Sequence, residues 1–123
     1  MITMAAVKIL GEIYAIFKKT YDEDEAFERN GISGYCDGYT KIITYCDMDT
    51  YKEWDHEPEG TKRAYEKQTL RHEIVHAFFY ESGLSESSES YSGPWAKHEE
   101  MIDWIANQGT KIYKAWEEAG CLP

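Results

Sequence analysis

Residues 70–79 read Leu-Arg-His-Glu-Ile-Val-His-Ala-Phe-Phe, an apolar stretch that contains two histidines and a glutamate. His72 and His76 are four residues apart, so on a helix they share one face, with about 6 Å between their β-carbons. Two imidazoles at that separation can bind one small cation, for which zinc is the best candidate. Glu73 lies about 100° further round the helix, where it can accept a proton from water beside the ion without binding the ion itself. The spacing therefore predicts a metal-dependent hydrolase with Glu73 as its catalytic base.

The helix that carries this motif is predicted to begin near Thr61, a suitable N-cap, and to end at Tyr80 or Glu81, before Gly83. The apolar residues that fall together on its other side predict the packing face: Leu70, Ile74, Val75 and Phe78.

A catalytic zinc site needs a third protein ligand and one open position. Phe79 and Ser82 stand where a metzincin would have a glycine and a third histidine, which excludes that class. None of the three cysteines has a paired spacing typical of a metal site. A carboxylate remains, and residues 98–103, His-Glu-Glu-Met-Ile-Asp, offer one on a second predicted helix. We expect Glu99 to be the third ligand, with Glu100 as the next candidate.

This arrangement resembles the gluzincins, the thermolysin-type zinc peptidases, in which a second helix carries Asn-Glu-x-x-x-Asp. The corresponding residues here are His98, Glu99 and Asp103, so histidine replaces the asparagine. The resemblance implies that Glu99 binds zinc and that Asp103 accepts a hydrogen bond from a zinc-binding histidine, as carboxylates commonly do at zinc sites. It also implies a zincin-like fold and a peptide or protein substrate. Segments 70–84 and 95–108 are similar to small metallopeptidases encoded by phages and prophages of Gram-positive bacteria.

Gluzincins usually have a histidine or tyrosine that donates a hydrogen bond to the oxyanion of the reaction. Tyr80, Tyr91 and His98 are the candidates in this chain. His98 precedes Glu99 directly, so on a helix its side chain would point about 100° away from the predicted ligand.

The 123 residues are predicted to form a single domain, 1–123, of the α+β class. Two β-hairpins are expected, one joined at Gly11-Glu12 and one at Gly38-Tyr39, with strands at 6–10 and 13–17 and at 33–37 and 40–47. A small antiparallel or mixed sheet would then pack on the two long helices that carry the metal site. In the resembled fold an edge strand beside the metal helix binds extended peptide, and the sequence does not indicate which strand this is.

The segments between these elements are predicted from composition. Residues 21–31 are acidic and read as a solvated loop or short helix, and the serine-rich residues 82–93 read as a loop joining the two site helices. Gly93-Pro94 is expected to begin the last helix, because proline suits a first helical turn.

The net charge of −10, with 13 basic against 23 acidic residues, argues against a nucleic-acid partner. An odd number of cysteines and a start without a leader pattern favour reduced thiols in a cytoplasm, that of a bacterial host cell. Lys8 and Glu12 interrupt the apolar N-terminal residues, so we expect a soluble protein without a membrane span.

Two alternatives to a zinc peptidase remain at this stage. The first is a metal-binding phage or prophage protein, structural or regulatory, that keeps the site but does not catalyse hydrolysis. The second is an interaction domain without metal, in which the two histidines are ordinary surface residues. Retention of stoichiometric zinc through purification would exclude the second alternative.

Overall fold

The computed structural model describes residues 2–87, 89–90 and 93–123. Its main sheet contains β1 (Ile2–Ile9), β2 (Glu12–Lys19), β3 (Gly34–Asp37) and β4 (Ile42–Cys46). The strand order is β1-β2-β4-β3. β1 with β2 and β3 with β4 pair antiparallel, while the central strands β2 and β4 run parallel. The predicted α+β class, with a small mixed sheet built from two hairpins, is confirmed.

The turn of the first hairpin lies one residue earlier than predicted. Its central residues are Leu10 and Gly11, with φ angles of 49° and 89°, and Glu12 already pairs with Ile9. A two-residue turn with both central residues in the left-handed region matches the twist of the strands best when glycine takes the second position. The predicted turn at Gly11-Glu12 is therefore wrong by one residue.

Short helical segments fill the space between and after the hairpins. They are α1 (Ala26–Asn30) and three 3-10 turns, at Tyr21–Glu23, Met48–Thr50 and Lys52–Trp54. Phe27 of α1 is only 2% exposed and packs with Cys46 and Met48. This segment thus contains a short helix, as one of the two predicted options had it, and contributes to the core.

The long helix α2 (Glu59–Glu81) crosses the sheet and carries the His-Glu-x-x-His motif. It ends at the predicted residue but begins two residues before Thr61, with Pro58 at the N-cap. Proline's fixed φ is compatible with that position.

The face of α2 that meets the sheet differs in part from the prediction. Leu70 and Ile74 pack on the core formed by the sheet, as expected, but Phe78 is 40% exposed. The buried stripe of the helix instead comprises Glu66, Thr69, Glu73 and Ala77. Because this stripe is centred on the motif, Glu73 is turned towards the sheet.

The second long helix, α4 (Glu99–Glu118), packs along α2. It begins five residues after Pro94, so the predicted start is wrong. A 3-10 turn, Trp95–Lys97, comes first, and the ring Nδ1 of His98 then accepts a hydrogen bond from the Met101 N–H at 3.3 Å. That bond satisfies an otherwise unpaired donor at the helix end and fixes the start of α4 at Glu99.

The serine-rich connection between α2 and α4 contains more regular structure than predicted. It forms one helical turn, α3 (Leu84–Ser87), and two short paired strands, β5 (Glu89–Ser90) and β6 (Gly93–Pro94). Within the described parts of the chain, no helix is both long and apolar enough to cross a membrane.

Candidate metal centre

His72, His76 and Glu99 meet where the middle of α2 faces the first turn of α4. The Nε2 atoms of the two histidines are 3.2 Å apart. The Glu99 carboxylate lies across both of them, with Oε2 2.9 Å from His72 Nε2 and Oε1 3.0 Å from His76 Nε2. One exposed carboxylate therefore contacts both imidazoles of the motif.

Asp103, one helical turn after Glu99, binds the other ring nitrogen of His72. Its Oδ1 lies 2.6 Å from His72 Nδ1. A carboxylate accepts hydrogen bonds, so Nδ1 carries the proton and donates it to Asp103. In the neutral ring this leaves a lone pair on Nε2, which is the tautomer that binds a metal through Nε2.

The two histidines differ in their electrostatic surroundings. Burial lowers the pKa of His72, but the bond to Asp103 and the charges of Glu73 and Glu99 outweigh burial and raise that pKa above its ordinary value. Burial also lowers the pKa of His76, and there it prevails over the attraction of Glu99. His76 is thereby kept neutral, the form in which an imidazole binds metal.

Glu73 is adjacent to this group and is held in a drier environment. It is only 6% exposed and faces Gly34 at the start of β3. Burial above all, with the negative charges of Glu99 and Asp103 added and His72 opposing, raises the pKa of Glu73 to about 7. A carboxyl group with a pKa near neutrality can both accept and release a proton at physiological pH.

The donor set fits a zinc ion. The ligating atoms of His72, Glu73 and His76 all lie within 4.8 Å of one another, so this group could hold a metal ion. Glu99 approaches more closely, and the separations of 2.9–3.2 Å are near the roughly 3.3 Å expected for two ligands on a tetrahedral zinc ion. Two imidazoles and one carboxylate are the ligands of a catalytic zinc site that leaves one position open.

An open cleft of about 430 Å³ adjoins the cluster. The segment 31–34, which leads into β3, forms one wall, and α2 forms the other, with Glu99 and Asp103 at the end. Of the two edge strands of the sheet, β3 therefore borders the cleft, a choice that the sequence left open.

No family model, no curated protein and no solved structure matches this chain. What the site can do is accordingly argued from its own geometry and chemistry.

The three candidates for an oxyanion donor lie apart from this cleft or outside the described residues. The Tyr80 ring packs against Gly38, and Lys41 Nζ lies 5.4 Å from its centre. His98 caps α4 and lines a surface region with Glu100, Met101 and Trp104. Tyr91 lies outside the described residues.

Several polar residues line the cleft that were not predicted as site residues. The Ser33 hydroxyl lies 3.0 Å from the Tyr65 hydroxyl and 3.3 Å from Thr69 Oγ1, and Gln68 lies on the same wall. Tyr65, Gln68 and Thr69 precede His72 by seven, four and three residues, so helical spacing places them on its side of α2. Ser33 carries no such signal, because only the packing of β3 on α2 brings it there.

Proposed function

We propose that this protein is a zinc-dependent peptidase with a zincin-like, gluzincin-type site. The observation that carries the proposal is the convergence of two imidazole Nε2 atoms and the Glu99 carboxylate, with the buried Glu73 beside them, next to an open cleft. His72, His76 and Glu99 would hold the ion, and Asp103 would fix the orientation of the His72 ring.

When bound, a zinc ion supplies Lewis-acid chemistry: it lowers the pKa of a water ligand to about 7 and polarises a carbonyl group. Glu73 takes the proton of the attacking water and then delivers it to the leaving amine, which its pKa of about 7 allows. The partial burial of Glu73 keeps bulk water from competing for that proton.

The edge strand β3 supports a peptide as the substrate. Ser33 C=O accepts the Cys46 N–H at 2.8 Å, so Ser33 directs its backbone towards β4. In an antiparallel pair the alternate residues, Gly34 and Cys36, direct theirs to the free edge. Gly34 lines the cleft, and an extended peptide laid along β3 would pair with these groups and pass the metal centre.

The decisive experiment compares zinc content and peptide hydrolysis in wild type and Glu73→Gln. Wild type is expected to retain about one zinc per chain and to cleave a mixed peptide library. Glu73→Gln is expected to keep the zinc and to lose at least about 100-fold in kcat/KM, because the amide cannot act as a base. Elemental analysis and mass spectrometry of the digests provide the two measurements.

Matched variants identify the third ligand. Glu99→Ala should lose zinc, whereas Glu100→Ala should keep it, since Glu99 contacts both imidazoles and Glu100 lines another surface. Glu117→Gln, on an exposed turn of α4, is the control for an isosteric change without effect. Wild type that holds zinc and cleaves no peptide would contradict the proposal and favour a metal-binding phage or prophage protein without catalysis.

A further inference from the structure

A second cavity, which we call the side pocket, opens beside the metal cleft. It has a volume of about 250 Å³ and is lined mainly by Phe27, Cys46, Met48, Tyr51, Trp54 and Tyr65. For comparison, an apolar protein cavity of about 150 Å³ accommodates benzene. The side pocket is therefore large enough for a phenyl or indole ring.

The chemistry of the side pocket favours an apolar occupant. Phe27, Cys46 and Met48 are nearly fully buried and form one apolar cluster, against which Tyr51 and Trp54 pack. The Tyr65 hydroxyl is already bonded to Ser33, and the Tyr51 hydroxyl to Glu53. Sulfur atoms near aromatic rings add favourable contacts for an aromatic guest.

The side pocket and the metal cleft are continuous. Gly31, Ile32, Ser33 and Tyr65 line both of them. Tyr65 precedes His72 by seven residues on α2, which is about 10 Å along the helix axis. An extended peptide covers that distance with about three residues.

We propose that the side pocket is a specificity subsite, which binds a large apolar side chain, preferably aromatic, of the substrate peptide. That residue lies two or three positions from the bond that is cleaved. The carboxylate of Glu28, which also lines the side pocket, disfavours an acidic side chain there. This inference rests on the proposed peptidase function for its substrate, but the pocket itself is open to a direct binding test.

The binding test uses the full-length chain and the indole N–H resonances of its four tryptophans. N-acetyl-L-phenylalaninamide is titrated to millimolar concentrations, with N-acetylglycinamide as the control ligand. The resonance of Trp54, assigned with Trp54→Phe, should shift saturably with the aromatic ligand alone. The resonances of Trp95, Trp104 and Trp116, which do not line the side pocket, should stay unchanged. Absence of a Trp54 shift would overturn the proposal.

The specificity test uses internally quenched peptides that differ only at the positions two and three residues from the cleaved bond. Wild type should prefer phenylalanine over aspartate at one of these positions by about 10- to 100-fold in kcat/KM. Trp54→Ala should bring that ratio close to one, while Trp104→Ala, the loss of an exposed tryptophan outside the pocket, should preserve it. A ratio that Trp54→Ala leaves intact would overturn the proposal even if the peptides are cleaved.

The two tests separate failure of the subsite from failure of the peptidase function. Hydrolysis without a Trp54 shift would leave the peptidase standing and refute the subsite. A Trp54 shift in a zinc-loaded protein that cleaves no peptide would refute both, and would indicate a pocket for a free aromatic compound.

Discussion

Two glutamates at the metal centre differ in role because their surroundings differ. Glu99 is exposed at the first turn of α4, where the helix N-terminus favours a negative charge, and it reaches both imidazoles. Glu73 is buried against β3, and burial raises its pKa to about 7. The first is suited to bind an ion as a carboxylate and the second to exchange a proton.

Asp103 provides a test at the scale of one residue. Asp103→Ala is expected to weaken zinc binding by about 10- to 100-fold, because the His72 ring loses the acceptor that fixes its tautomer and orientation. A competition titration with a chromophoric chelator measures the affinity. Asn107→Ala, one turn further along the exposed side of α4, is the control and should bind zinc like wild type. Equal affinities for both variants would show that Asp103 does not support the ligand.

At the scale of elements, the site depends on the close approach of β3 to α2. A β-carbon on Gly34 would lie 2.6 Å from Thr69 Cγ2 and 2.9 Å from the Thr44 carbonyl oxygen, with Glu73 Cγ at 3.6 Å. Glycine is therefore the residue that allows the strand to lie directly against the helix. On the other side of α2, Arg71 Nε donates a hydrogen bond to the Ala106 carbonyl at 3.0 Å and holds α4 in contact.

Gly34→Ala is expected to destabilise the fold by about 1–3 kcal/mol, because the backbone oxygen of Thr44 cannot move aside as a flexible side chain would. Urea denaturation measures the change in the free energy of unfolding. Gly60→Ala, in the first turn of α2 with nothing within 4 Å of the added methyl, should be neutral or slightly stabilising. If Gly34→Ala unfolds at the same urea concentration as wild type, the contact between β3 and α2 is looser than the structure shows.

At the scale of the whole molecule, one carboxylate connects the end of α2 to the sheet and to the second hairpin. Glu81 Oε2 accepts a hydrogen bond from Tyr14 of β2 at 2.6 Å and from Lys41, between β3 and β4, at 2.5 Å. The bond from Lys41 first, and then that from Tyr14, lower the pKa of Glu81 below its ordinary value. The ion pair therefore favours the folded protein when Glu81 is ionised.

The pH dependence of stability tests this connection. A carboxyl group with a lowered pKa in the folded state stabilises the fold above its unfolded pKa of about 4.3, and this contribution is lost as the pH falls through the folded-state value. Glu81→Gln should therefore lower the melting temperature at neutral pH and leave a smaller loss on acidification than wild type shows. Glu59→Gln, at the exposed start of α2, is the control. Parallel melting curves for Glu81→Gln and wild type across the acid range would contradict the assignment.

The local parts of this architecture could be predicted from the sequence. The periodicity of a helix alone puts His72 and His76 on one face, and the alternation of apolar residues around glycine turns predicts the two hairpins. Boundaries were less well predicted where a single side chain decides them. His98 fixes the start of α4 through one hydrogen bond, which the proline four residues earlier did not indicate.

The sequence by itself determined that one helix carries two imidazoles and a glutamate in the spacing of a hydrolytic zinc site, because those relations depend only on helix geometry. Only the tertiary structure decided that Glu99 and Asp103 reach His72, that β3 borders the cleft, and that an aromatic side pocket opens into it. Each of these depends on packing between elements distant in sequence, which buried apolar surface drives without direction and which local residue patterns do not encode.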